Sequence, residues 1–220
     1  MESLFRDRAK LYSFLARIYR AEPDQKFLNE IKALDLSGVE DEAPEREGYQ
    51  LIYDYAKNAY RGLLELARDY ARCFIGAGMP RHEVAFPYES VFTSEKGLMQ
   101  QEAYDEVMII YAGESLVKDG KLSEPDDHIS FEFEFMAFLS ERTADNFIEE
   151  NNGEALRYCG KQLDFLNIHL LKWIPMFCKK LSGVANTDFY KGAAKLTEAF
   201  LTNDKKILLE VLEELKASKG

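Results

Sequence analysis

The chain has 220 residues, 46% of them apolar, and a formal charge of -11. That length supports one sizeable hydrophobic core, and that composition excludes a disordered chain. The acidic balance excludes a phosphate-binding surface, so nucleic acid is not an expected partner, and it favours cationic ligands or peptides.

Leu4, Leu11, Leu15 and Ile18 mark a first helix that ends near Glu22-Pro23. Its charges are mixed throughout and it holds no central apolar run, so a secretory signal is not expected. A short second helix is predicted around Phe27, Ile31 and Leu34. Leu36 to Gly48 is acidic, contains Gly38 and Pro44, and reads as a loop. Ile52, Tyr55, Ala59, Leu63, Leu66, Tyr70 and Phe74 alternate by three and four, which predicts one long helix with a buried stripe. Gly76-Ala77-Gly78-Met79-Pro80 stops it.

Residues 76–94 read as an irregular loop, followed by a helix from about Glu95 to Ala112 and a second loop from Gly113 to Glu124. The next helix runs to about Glu150, where Asn151-Asn152-Gly153 breaks it. Leu156, Cys159, Leu163, Leu166, Leu170, Trp173 and Phe177 predict another unbroken helix, kinked by Pro175. Two helices close the chain, around Phe189 to Leu201 and Lys205 to Leu215. No repeat and no strand pattern is visible. The expected fold is all-α, about eight helices in a single domain over residues 1–220. No apolar run approaches the ~20 residues that cross a bilayer, so no membrane insertion is expected. Cys73, Cys159 and Cys178 form an odd set without CxxC spacing, which fits buried thiols in a reducing, cytoplasmic compartment.

The most informative segment is Glu124-Pro125-Asp126-Asp127-His128-Ile129, running into Ser130-Phe131-Glu132-Phe133-Glu134-Phe135-Met136. Pro125 suits the first turn of a helix and places Asp127 and His128 near its N-terminus, where a carboxylate is favoured. On these residues alone two roles stand side by side. Either the pair forms a binding site, or Asp127 caps the helix and His128 bonds a neighbouring loop. Phe131, Phe133, Phe135 and Phe138 with Met136 make the helix apolar all round. That predicts burial against several partners, or alternatively a hydrophobic peptide groove.

Catalytic patterns are missing: there is no HExxH, no GxSxG and no GxxxxGK[ST]. Gly76-Ala77-Gly78 fits a helix cap better than a phosphate cradle. His82, His128 and His169 are far apart, and His169 reads as a packed histidine. A helical metal-binding enzyme using His128 with Glu132 or Glu134 is a rival reading, although no ligand spacing demands it.

The Glu124–Met136 segment closely resembles the E-P-x-D-H-I-x-x-E-L-x-F-M signature of the TorD/DmsD family of cytoplasmic molybdoenzyme chaperones, with Phe133 in place of the usual leucine. Three further segments agree in order. Tyr70-Ala71-Arg72-Cys73-Phe74-Ile75-Gly76 resembles the family's aromatic-x-x-x-F-x-G helix end. Pro87-Tyr88-Glu89-Ser90-Val91-Phe92 resembles its P-Y-E-S-V-Y loop, and His169 to Phe177 its H-x-x-x-W-x-P-x-F helix. The resemblance implies a non-enzymatic chaperone that binds the twin-arginine leader of a dimethyl sulfoxide reductase-type apo-enzyme subunit and holds it for cofactor insertion. It assigns leader binding to Asp127, His128, Tyr70, Cys73, Phe74, Pro87 and Tyr88. Tyr70 and Cys73 stand where some relatives have tryptophan and leucine. Glu89 is a candidate partner for a leader arginine, or else fixes its own loop. A NarJ-like chaperone for a non-exported nitrate reductase is the alternative within the resemblance. Some members bind guanine nucleotide, but no nucleotide motif is visible here and no cofactor or metal is expected. Some exchange helices between subunits, so a monomer or a swapped dimer is expected, with its hinge near residues 113–125.

Overall fold

The first predicted stripe folds as one helix, in which Phe5, Tyr12, Leu15 and Ile18 are wholly buried. The computed structural model describes residues 1–58 and 62–217. Ten α-helices occur among them: α1 (Glu2–Arg20), α2 (Gln25–Lys32), α3 (Arg46–Asn58), α4 (Gly62–Tyr70), α5 (Glu89–Thr93), α6 (Glu102–Gly113), α7 (Ile129–Ile148), α8 (Asn152–Phe165), α9 (Leu171–Val184) and α10 (Asp188–Ala217). No strand occurs among the described residues, and the fold is all-α as expected.

Several boundaries differ from the periodic reading. The stripe from Ile52 to Phe74 is shared by α3 and α4 and closes in a π-turn, Ala71–Ile75. Ala59, assigned to that stripe, lies outside the described residues. The segment expected to be irregular contains α5, because the carboxylate of Asp127 accepts the otherwise orphaned N–H of Ser90 in its first turn. Helix α6 begins at Glu102 rather than Glu95, since Gly97 and Gln100 take φ of 60° and 56°, outside the right-handed helical region. The helix predicted from Leu156 to Phe177 departs from α geometry at a π-turn, Leu166–Leu170, and α9 then continues through Pro175. The two closing helices are one helix of 30 residues.

The chain forms two compact units. The first comprises Met1–Arg20, Tyr88–Trp173 and the chain from Thr202 onward. Within it α1 packs along α7, and α7 also packs on α8. Phe133 of α7 sits between Tyr12 and Tyr19 of α1, with ring centres 5.8 and 6.2 Å away. The middle of α10 is tied to α1 by a buried polar triad. Arg8 bonds both carboxylate oxygens of Asp204, and the Tyr12 hydroxyl donates to the same carboxylate at 2.7 Å. Asp204 falls between the two closing helices predicted from sequence, yet it is an internal anion whose cation lies in the first helix.

The second unit comprises Ala21–Pro87 and Ile174–Leu201. Its core is aromatic: Phe74 meets Tyr190 edge-on at 5.3 Å and stacks on Phe177 at 6.2 Å. Helices α3 and α10 touch backbone to backbone at glycines. A Cβ on Gly48 would lie 2.5 Å from the Leu196 nitrogen, so no larger residue fits there.

Breaking a buried ion pair from one side leaves an uncompensated charge, which typically costs about 3–5 kcal/mol. Asp204→Ala is therefore expected to lower the urea-unfolding free energy by about that amount, and Arg8→Met added to Asp204→Leu to recover most of the loss.

Candidate functional site

In the first unit the chain enters α7 through Pro125-Asp126-Asp127-His128, and the roles of the acid and the histidine are the reverse of the capping expectation. His128 is the N-cap: its Nδ1 accepts from the Ser130 N–H at 3.1 Å and lies 2.8 Å from the Ser130 hydroxyl. Asp127 reaches away from α7 and accepts the Ser90 N–H at 2.9 Å, while its own carbonyl accepts the Glu89 N–H at 3.0 Å. The Ser90 hydroxyl in turn accepts the Gln101 N–H at 3.1 Å. One carboxylate thus anchors the stretch from Tyr88 to Gln101 against the start of α7.

The ring of Tyr88 stands edge-on to His128 at 5.1 Å, and its hydroxyl bonds the Glu124 carboxylate. Arg20, at the end of α1, approaches from the other side. It donates to the Ser130 hydroxyl, pairs with Glu134 and lies 5.3 Å over the Phe131 ring. Burial, with the Arg20 charge nearby, pulls the His128 pKa down from 6.5 to about 3, so the imidazole is neutral and acts as an acceptor.

Behind this corner lies a cluster of buried acids. Glu89 accepts from Nδ1–H of His169 at 2.9 Å, and Glu132 accepts from the indole N–H of Trp173 at 3.1 Å. Burial, and then the neighbouring Glu89, push the Glu132 carboxyl well above the usual range, so it holds a proton. Burial also raises Asp127, with the bonds to Ser90 opposing it. Among the described residues no group of three or more His, Cys, Asp or Glu is placed to hold a metal ion. The ring nitrogen Nδ1 of His128 is taken by Ser130, Glu132 is bonded to Trp173, and Glu134 is paired with Arg20.

The second unit holds Tyr70, Cys73, Phe74 and Pro87. The π-turn Ala71–Ile75 ends at Gly76, whose φ is 82°, and this brings the Cys73 carbonyl to the Ala85 N–H at 2.9 Å. Tyr70 is half-buried and packs edge-on against Phe74 at 5.0 Å. Phe74, Cys73 and Pro87 are buried. The Cys73 thiol lies 3.6 Å from Asp69, and burial raises its pKa beyond the normal range. Asp69 itself accepts the Asn186 and Thr187 N–H groups and the Thr187 hydroxyl, and so fixes the chain just before α10.

The structure therefore brings Tyr88, Glu89, Asp127 and His128 together in one unit, and Tyr70, Cys73 and Phe74 together in the other. Glu89 is spoken for internally by His169. Arg20, Ser90 and Ser130 complete the first corner and were not identified from sequence. Arg20 carries no signal beyond a basic residue ending a helix, and Ser90 becomes visible only through the Asp127 bond.

The native pKa of His128 lies below its unfolded value, so its contribution to stability is present above pH ~6.5 and is lost as pH falls toward 3. That of Glu132 lies above its unfolded value, so its contribution is present below the ordinary glutamate range and is lost as pH rises. His128→Asn keeps a capping acceptor without titrating, and its stability relative to the native protein should improve steadily from pH 6.5 to 4. Glu132→Gln should gain on the native protein in the opposite direction, from pH 4.5 to 8. Urea midpoints across pH check both.

Comparison with known proteins agrees with this architecture. Residues 40–179 match the family model described as nitrate reductase delta subunit. A chaperone protein TorD from Vibrio cholerae is 28% identical over 214 residues, covering 94% of each chain. Another TorD, from Photobacterium profundum, is 29% identical over 163 residues, covering 74% of this chain and 73% of its own. The crystal structure of a redox enzyme maturation protein from Archaeoglobus fulgidus shares the fold, with a TM-score of 0.53 at 23% identity over 89% of this chain and 93% of that one. The chain belongs to the nitrate reductase delta subunit family, the TorD/NarJ family of chaperones.

Proposed function

We propose that this TorD-type redox-enzyme maturation chaperone binds, in the cytoplasm, the twin-arginine leader of a dimethyl sulfoxide reductase-type molybdoenzyme subunit and holds that subunit while its cofactor is inserted. The observation that carries this reading is the near full-length likeness to proteins named chaperone TorD. The physical requirements of such a ligand agree with it. Two guanidinium groups need carboxylates, and the apolar run that follows them needs an apolar surface. This chain has an excess of carboxylates and an aromatic-rich α7.

Burial divides the candidate residues by role. Tyr88 and Tyr70 are half-exposed and are assigned to leader contact. Asp127, His128, Glu89, Cys73, Phe74 and Pro87 are buried and are assigned to positioning those contacts. Among the described residues no helix is long and apolar enough to cross a membrane. A NarJ-like chaperone, serving a nitrate reductase without export, is the second reading, and the name of the matching family favours it.

Peptides spanning the twin-arginine leaders of the molybdoenzyme subunits encoded in the same genome test the proposal directly. At least one is expected to bind in calorimetry, and replacing its two arginines with alanine should weaken it tenfold or more. Binding by none of them would reject the leader-binding reading. Recovery of a nitrate reductase subunit without a leader by co-purification would select the NarJ-like one. Tyr88→Phe, which keeps the ring against His128, is expected to lower leader affinity with little change in urea midpoint, whereas Asp127→Ala should lower both, as the loss of a buried acceptor for Ser90 demands.

A further inference from the structure

The corner around His128 opens onto a groove that the motif comparison does not assign. It lies wholly within the first unit, between α6, the 114–122 segment and the first turns of α7, with a volume of about 580 Å³. Met108, Tyr111, Leu116, Leu122, Phe131 and Phe138 are its main apolar walls. This size and lining are those of a ligand pocket rather than of a packing defect.

Helix α6 explains why the groove is open. Its Val107 and Tyr111 are buried, yet Met108 and Ile109 are 43% and 69% exposed, and Val117 beyond the helix is 92% exposed. An apolar surface of this kind on a helix with no covering element marks an interaction site.

Charge specifies what fits. Asp119, Asp126 and Glu134 line the groove against Lys118. The end of the groove nearest the signature motif already holds cations. Lys118 donates to the Glu124 carbonyl at 2.7 Å and to Asp126 at 2.9 Å, and lies 5.6 Å from the centre of the Phe131 ring. Carbonyl, carboxylate and aromatic face together form a cation seat.

We propose that this groove takes the apolar run of the leader peptide, with the arginines at the acidic end beside Asp126 and Phe131, where Lys118 sits in their absence. The proposal rests on the leader-binding reading and adds the surface that does the binding. An apolar run of roughly 7–15 residues next to a basic pair has the composition the groove complements.

The test is fluorescence anisotropy with the labelled leader peptide that binds the native protein. Met108→Glu places a charge in the apolar wall. By field alone the added carboxylate would strengthen a cationic peptide, so a loss reports the apolar contact. Affinity is expected to fall tenfold or more, while Ile148→Glu, an exposed apolar position at the far end of α7, stays within twofold. Val117→Asp, at a nearly fully exposed groove residue, repeats the test should Met108→Glu fail to fold. Lys118→Ala is expected to tighten binding more than Lys121→Ala, which alters the same field without emptying the seat. Unchanged affinity in both groove variants would overturn the groove and leave leader binding standing. A native protein that binds no leader would overturn both. A dimer that Met108→Glu dissociates without loss of leader affinity, seen by light scattering, would give the groove to a second copy and overturn the proposal.

Discussion

A single hydrogen bond, from the Ser90 N–H to the Asp127 carboxylate, organises the first unit. It supplies the first turn of α5 with an acceptor and fastens a helix of only five residues to the start of α7. Everything around His128 inherits that constraint. Tyr88 can stand edge-on to the imidazole only because its neighbours Glu89 and Ser90 are held by Asp127 through both its carbonyl and its side chain. Asp127 is wholly buried, and desolvation outweighs its bonds to Ser90 in setting its affinity for a proton. The cluster solves the same problem a second way at Glu132, where a retained proton removes the charge altogether.

The second unit uses the same device in a more exposed setting. Asp69 gathers the N–H groups of Asn186 and Thr187 and the Thr187 hydroxyl at the head of α10. The carboxylate thereby holds the residues that lead into a 30-residue helix and lies near its positive end. The π-turn that follows α4 directs Phe74 toward Tyr190 and Phe177, so anchoring and core formation begin from adjacent turns.

Much of this was legible in the residues. Helical period located α1, Pro125 located the start of α7, and the all-round apolar character of α7 predicted burial, which Phe131, Phe133, Phe135 and Met136 show. What stayed illegible depends on partners distant in sequence. Asp204 stays outside both predicted closing helices because its cation, Arg8, lies 196 positions earlier. Of the two sequence readings of Asp127-His128, the capping one gives the cap to the carboxylate, yet Ser90 claims that side chain and leaves the role to a neutral histidine. The two π-turns leave no periodic mark, since each shifts the register by a single residue and the apolar stripe resumes beyond it. The signature segment located the start of α7, but Arg20 reaches it from a helix with no motif of its own.

The cysteines carry a practical consequence. All three are buried, and burial raises each thiol pKa, that of Cys159 to about 11. At neutral pH almost none exists as thiolate, the form that attacks maleimides and disulfides. The native chain is thus chemically silent toward alkylating dyes. A reporter cysteine introduced on the surface would carry its label alone, with no native thiol removed first.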